Sequence, residues 1–242
     1  MKKIPEVSIA FWIMKICATT LGETAGDLLS MTMNVGYAKS SLILISFFFV
    51  TLVAQLAVKS YLPPLYWAVI LSTSTAGTTM SDFMDRSLEL GYAKGSLLLM
   101  TILAVIFTVW RLSEKTLSVD SVTTRRAETF YWAAILFSNT LGTALGDFLA
   151  DDSGLGFAGG AALIGGLLLV VVVLTVLTKV SRVLLFWIAF VLTRPFGATL
   201  GDVLTKTHDK GGLGFGTIGS SAILGVALVA LVIHAVWRQR RK

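Results

Sequence analysis

The sequence predicts an all-α membrane protein: eight transmembrane helices from four parallel two-helix repeats, pseudo-symmetric about the membrane normal. Three observations predict it. Hydrophobic residues make up 55% of the 242 and charged residues only 14%, with a mean hydropathy of +0.80, whereas soluble domains are about 25% charged. Residues 40–58, 153–178 and 211–237 carry no charge at all, and about 18 such residues are enough to cross the hydrocarbon core as a helix. Finally, Trp12, Trp67, Trp132 and Trp187 are each followed fifteen residues later by an aspartate, Asp27, Asp82, Asp147 and Asp202. The chain holds only nine aspartates, so four coincidences at one spacing identify a repeat. Intrinsic disorder, nucleic-acid binding and a disulfide scaffold are excluded by the same numbers; Cys17 is the single cysteine.

Each unit has the same parts. An aromatic precedes the tryptophan (Phe11, Tyr66, Tyr131, Phe186), and a glycine follows it by ten residues (Gly22, Gly77, Gly142, Gly197). A small residue stands before each aspartate (Gly26, Ser81, Gly146, Gly201). Small residues four apart let membrane helices approach closely. A Gly-aromatic pair then opens an apolar run, at Gly36-Tyr37, Gly91-Tyr92, Gly156-Phe157 and Gly214-Phe215. Each unit therefore reads as a helix hairpin, a polar first helix and a plain second helix free to face lipid. The repeats fall at about residues 8–59, 63–112, 128–179 and 183–238, within a single membrane domain spanning 1–242.

Two crossings per unit start all four units on one side. On the side of both termini lie Lys2, Lys3, Lys59, Arg111, Lys115, Arg125, Arg126, Lys179, Arg182, Arg238, Arg240, Arg241 and Lys242, against Lys39, Arg86, Lys94, Lys206 and Lys210 opposite. An excess of Lys and Arg marks the cytoplasmic side, so both termini are expected in the cytoplasm. Lys15, Glu23 and Asp27 interrupt the first apolar segment, and residues 30–32 offer no small-x-small cleavage site. That segment reads as the first span and not as a signal peptide.

The polar residues of the first helices fall four apart and so share one helical face. These faces are Lys15, Thr19, Glu23, Asp27; Ser74, Thr78, Asp82; Asn139, Thr143, Asp147; and Arg194, Ala198, Asp202. Unpaired polar groups are costly in hydrocarbon, which turns all four faces inward and gathers the aspartates about a common axis. With the tryptophans taken as an aromatic belt at the cytoplasmic interface, the aspartates lie about 22 Å farther along. The alternative is that each aspartate is a solvated loop residue just past its helix. A carboxylate near a helix C-terminus is opposed by the helix dipole, so either the helix breaks at Gly-Asp or a cation compensates. Arg194-Pro195 reads as a counter-ion with a kink, or as a tethered cation competing with substrate. Lys15, one turn from Trp12, reads as a snorkelling interface residue.

The pattern of Trp12, Trp67, Trp132 and Trp187 with their downstream Gly and Asp resembles a bacterial family of integral membrane proteins with four tandem copies of a repeat of unknown function. Each copy in that family has two transmembrane segments and a characteristic tryptophan. The resemblance covers nearly the whole chain and implies a bacterial inner-membrane location; it implies no activity.

The residues themselves suggest a permeation pathway for a cation, a divalent metal ion or proton. Asp27, Asp82, Asp147, Asp202 and Glu23 would be the oxygen ligands, with Thr78, Thr143, Asn139 and Arg194 along the path, because carboxylates suit hard or borderline ions. No metalloprotease, nucleophile-elbow or phosphate-loop motif occurs in the sequence, so neither enzymatic activity nor a cofactor is expected, and the gradient of the ion or of protons would drive transport. The expected partners are the lipid bilayer and a small cation, with no nucleic acid, and a homo-oligomer is compatible with the sequence. The competing reading is a non-transporting sensor or assembly protein whose repeats only pack.

Overall fold

The computed structural model describes residues 3–241. Lys2 and Lys242, counted above for orientation, lie outside the described residues. Eight long helices follow one another: α1 Ile9–Asp27, α2 Tyr37–Ala57, α3 Pro63–Asp82, α4 Tyr92–Glu114, α5 Arg125–Asp147, α6 Gly156–Leu177, α7 Arg182–Thr205 and α8 Gly216–Arg240. Among the described residues there is no strand. Side-chain oxygens of Ser8, Thr124 and Ser181 accept backbone N–H groups at the starts of α1, α5 and α7, the usual satisfaction of a helix N-terminus. Prolines open α3, where their missing N–H costs nothing.

The odd-numbered helices form a closed ring, α1 against α3, α3 against α5, α5 against α7, and α7 back against α1. The even-numbered helices lie outside it, α2 on α3, α4 on α5, α6 on α7 and α8 on α1. The expected hairpin is thereby corrected, because each outer helix packs mainly on the inner helix of the next repeat. Gly36 and Gly91, with φ of 83° and 75°, turn the chain into α2 and α4 in a backbone region that suits glycine, and the outer helix then descends beside its neighbour.

Among the described residues, six helices are long and apolar enough to cross a membrane: α2, α4, α5, α6, α7 and α8. The outer ones are apolar and face outward; only 11–28% of their most apolar stretch is buried. By contrast, α1 and α3 carry Lys15, Glu23, Asp27 and a run of serines and threonines, nearly all buried within the ring. A helix enclosed by other helices has no need of an apolar surface.

The ring holds together by one contact rule applied four times. At one end, the aromatic before each tryptophan packs on the tryptophan of the next repeat: Phe11 on Trp67 at 5.7 Å, Tyr66 on Trp132 at 5.5 Å, Tyr131 on Trp187 at 6.1 Å and Phe186 on Trp12 at 5.7 Å. Trp67, Trp132 and Trp187 are buried and Trp12 half-buried, so the tryptophans are seam residues packed between repeats. Such aromatic pairs add about 0.5–1.5 kcal/mol each beyond the area they bury. Ten residues on, Gly22, Gly77, Gly142 and Gly197 face Ser74, Asn139, Arg194 and Thr19 of the next repeat so closely that a methyl group would overlap them.

Candidate functional site

Along the inner face of the ring, side chains stack in layers one helical turn apart. The outermost is the aspartate layer. Asp27, Asp82, Asp147 and Asp202 are only 2–5% exposed, and Glu23, one turn deeper, is 3% exposed, which rules out the solvated-loop alternative. Nor do the helices break at the aspartate. In the first three repeats the chain continues into one wide π-helical turn (Leu28–Thr32, Phe83–Ser87, Phe148–Asp152), and α7 runs on to Thr205. Cations supply the compensation the helix dipoles demand.

Those cations are Arg86 and Lys206, each four residues past an aspartate and so on the same helical face. Arg86 binds Asp82 at 2.9 Å and reaches Asp147 of the next repeat at 3.3 Å. Lys206 binds Asp202 at 3.1 Å and reaches Asp27 of the next repeat at 3.5 Å. The seams between repeats two and three and between four and one are bridged in this way. Across the seam between repeats three and four, carboxylate oxygens of Asp147, Asp202 and Glu23 all lie within 4.8 Å of one another. That span matches twice a metal–oxygen distance of about 2.0–2.6 Å, so one ion fits among them. Asp82 keeps one buried oxygen, Oδ2, without any hydrogen-bond partner, and its electrostatic neighbours are Asp27, Glu23, Asp202 and Arg86.

The next layers are filled. Arg194 is fully buried and spans the axis. Its Nη1 binds Glu23 Oε2 at 2.9 Å, and its Nη2 donates to Thr78 Oγ1 at 2.6 Å and Thr143 Oγ1 at 2.7 Å. Both threonine hydroxyls donate in turn to Glu23 Oε2, at 3.2 and 3.3 Å. One guanidinium from repeat four therefore meets the equivalent position of all three other repeats, while repeat four has Ala198 there. The counter-ion role read for Arg194 fits this arrangement, and α7 is continuous across Pro195.

Asn139 sits lower than the aspartates. It donates to Thr73 Oγ1 at 2.9 Å and Ser74 Oγ at 3.3 Å, and accepts from Lys15 Nζ at 3.3 Å. The snorkelling expectation for Lys15 is wrong. Its side chain is fully buried, with Nζ 4.2 Å from the centre of the Phe190 ring, because it shares the inward face of Glu23 and Asp27. Cation–π attraction of this kind partly replaces lost hydration. Below it, Tyr66 and Tyr131 close the axis with a 2.5 Å hydroxyl–hydroxyl hydrogen bond.

The structure thus gathers Glu23, Thr78, Thr143 and Arg194 into one network, and brings Asp147 and Asp202 to Glu23. Asp82 and Asp27 join through Arg86 and Lys206, and Asn139 belongs to the Lys15 layer. Sequence reasoning missed Arg86 and Lys206 as members of the site, although the signal was present as a basic residue four past an aspartate in alternate repeats.

Comparison with known proteins adds the family. Residues 10–61, 65–116, 130–181 and 185–241 each match the Repeat of Unknown Function (DUF347). No curated protein and no solved structure matches the chain significantly. With four copies covering nearly all of its length, this chain belongs to the family of membrane proteins defined by that repeat.

Proposed function

We propose that the protein carries a divalent cation across the bacterial inner membrane, with all eight helices spanning it, the repeat axis along the membrane normal and both termini cytoplasmic. One observation carries the reading: buried carboxylates of Glu23, Asp147 and Asp202, from three different repeats, converge to the spacing of a single ion's ligands. Charge supports it. Among the described residues, five carboxylates, Glu23, Asp27, Asp82, Asp147 and Asp202, face three cationic heads, Arg86, Arg194 and Lys206, with Lys15 one layer below, so carboxylates outnumber cations even with Lys15 included. Uncompensated buried charge costs several kcal/mol per ion, and a bound cation would offset it. All-oxygen donors suit a hard or borderline metal ion. Ionisable residues inside membrane bundles generally mark ion or proton pathways.

The ion would enter from the aspartate end, which Arg86 and Lys206 leave partly open at 34% and 25% side-chain exposure. Passage onward requires Arg194 and the Tyr66–Tyr131 pair to move, so the mechanism is a carrier's and not an open pore's. Flux of divalent cations into dye-loaded proteoliposomes tests this. Asp147→Asn and Asp82→Asn should each abolish it, and unchanged flux in both variants rejects the site. The filled axis favours a second reading, a sensor or assembly protein. In that case the same variants change stability alone, and no ion shifts the thermal unfolding of the purified protein.

A further inference from the structure

Resting on the cation-site reading, we infer that Arg86 and Lys206 are tethered competitors of the substrate, occupying ligand carboxylates until the ion displaces them. Each holds an aspartate of the ion-sized triad, Arg86 on Asp147 and Lys206 on Asp202. An ion seated among those oxygens would face both positive heads across a few ångströms, and like charges so close repel strongly where water is scarce. The heads have somewhere to go, being partly exposed while their carboxylate partners are almost wholly buried.

Aromatic rings stand beside them as resting places. The Arg86 guanidinium carbon is 5.7 and 5.9 Å from the ring centres of Tyr92 and Tyr37, and its Nη1 lies 3.5 Å from the Tyr37 hydroxyl. Lys206 Nζ is 6.0 Å from the ring of Phe157. These rings are the aromatic members of the Gly-aromatic pairs, and a ring face attracts a displaced cation. The equivalent positions in repeats one and three are Met31 and Asp151, so the device exists twice, at opposite seams. The unpartnered Asp82 Oδ2 gives the acid ring a further acceptor directed at no protein donor. Displacement would also release the only ion pairs linking repeat two to three and four to one among the described aspartates, coupling ion binding to loosening of those seams.

The test is Mn²⁺ binding to the full-length protein in detergent, followed by the electron paramagnetic resonance signal of free Mn²⁺. Arg86→Gln and Lys206→Gln should each tighten binding about tenfold, since each removes a competing charge at the site. Arg86→Lys, which keeps the charge, should stay near the starting affinity and guards against misfolding as an explanation. Unchanged or weaker binding in both Gln variants, with the parent protein binding normally, overturns the competitor role and makes the two cations staples that shape the site. Absence of binding in the parent, or equal binding by Asp147→Asn, overturns the cation site and this inference together.

Discussion

The two ends of the inner ring use the same four helices and differ in symmetry. At the aromatic end every seam is closed alike, with an aromatic on the next repeat's tryptophan at 5.5–6.1 Å in all four cases. At the acidic end only alternate seams are closed, by Arg86 and by Lys206. Packing is fourfold and charge is twofold. Shape complementarity must be met at each seam because a void or overlap anywhere costs stability. Charge need only balance over the whole ring, and two cations set among four aspartates leave the other two seams without such a bridge. The ion-pair pattern thus repeats every two units, although the packing pattern repeats every one.

Breaking the junction between the two ends should have the largest effect. Glu23→Gln leaves the Arg194 guanidinium buried without its carboxylate, and removal of one partner of a buried pair costs about 3–5 kcal/mol. Thermal unfolding in detergent should show a large fall, and Glu23→Leu combined with Arg194→Met should recover most of it. Failure of the double variant to recover would mean that the network positions the helices beyond its own charge balance. Next comes the aromatic end, where Trp132→Ala should cost about 3–5 kcal/mol as a large-to-small core change. Trp12→Ala should cost visibly less, because Trp12 is half-buried where Trp132 is 1% exposed. Equal losses would show that seam packing, and not burial, governs the contribution. Smaller still, Gly142→Ala forces a methyl group onto the stem of Arg194, an overpacking worth about 1–3 kcal/mol.

Much of this was legible in residue spacing. Four repeats of Trp, Gly and Asp at fixed offsets announce four equivalent helices, and polar residues four apart announce a shared inward face. That reasoning placed Glu23, Asp147 and Asp202 on the inner face that the structure brings to one point. It failed for Lys15, where proximity to Trp12 suggested an interface although the same spacing rule put it inside. For the tryptophans, spacing gave the repeat but not their packing on the preceding repeat's aromatic, which appears only once the helices are assembled. The hairpin expectation failed for a different reason: connectivity fixes which helix follows, while the partner of an outer helix is chosen by tertiary packing, and α2 packs on α3. Arg86 and Lys206 escaped because a basic residue near a helix end counts first toward topology, and its second use as a bridge between repeats appears only when the next repeat's aspartate is seen beside it.

The gentlest change is the sharpest test of the twofold charge pattern. Asp151 occupies in repeat three the place that Arg86 holds in repeat two, four residues past the aspartate in a matching π-helical turn. Its side chain is exposed and accepts a 3.4 Å hydrogen bond from the Tyr92 hydroxyl. Asp151→Lys would set a third cation beside Asp147 and within reach of Asp202, closing the seam that carries the ion-sized cluster. With its head at the exposed rim, the added cation should raise ion-free stability modestly, by about 1 kcal/mol. It should nonetheless erase any ion-dependent rise in thermal stability, because the seam's excess negative charge would be met by the protein itself. A variant that still responds fully to ions would mean that the two open seams are not where the ion is held, and that fourfold and twofold order coexist here without dividing the labour between packing and binding.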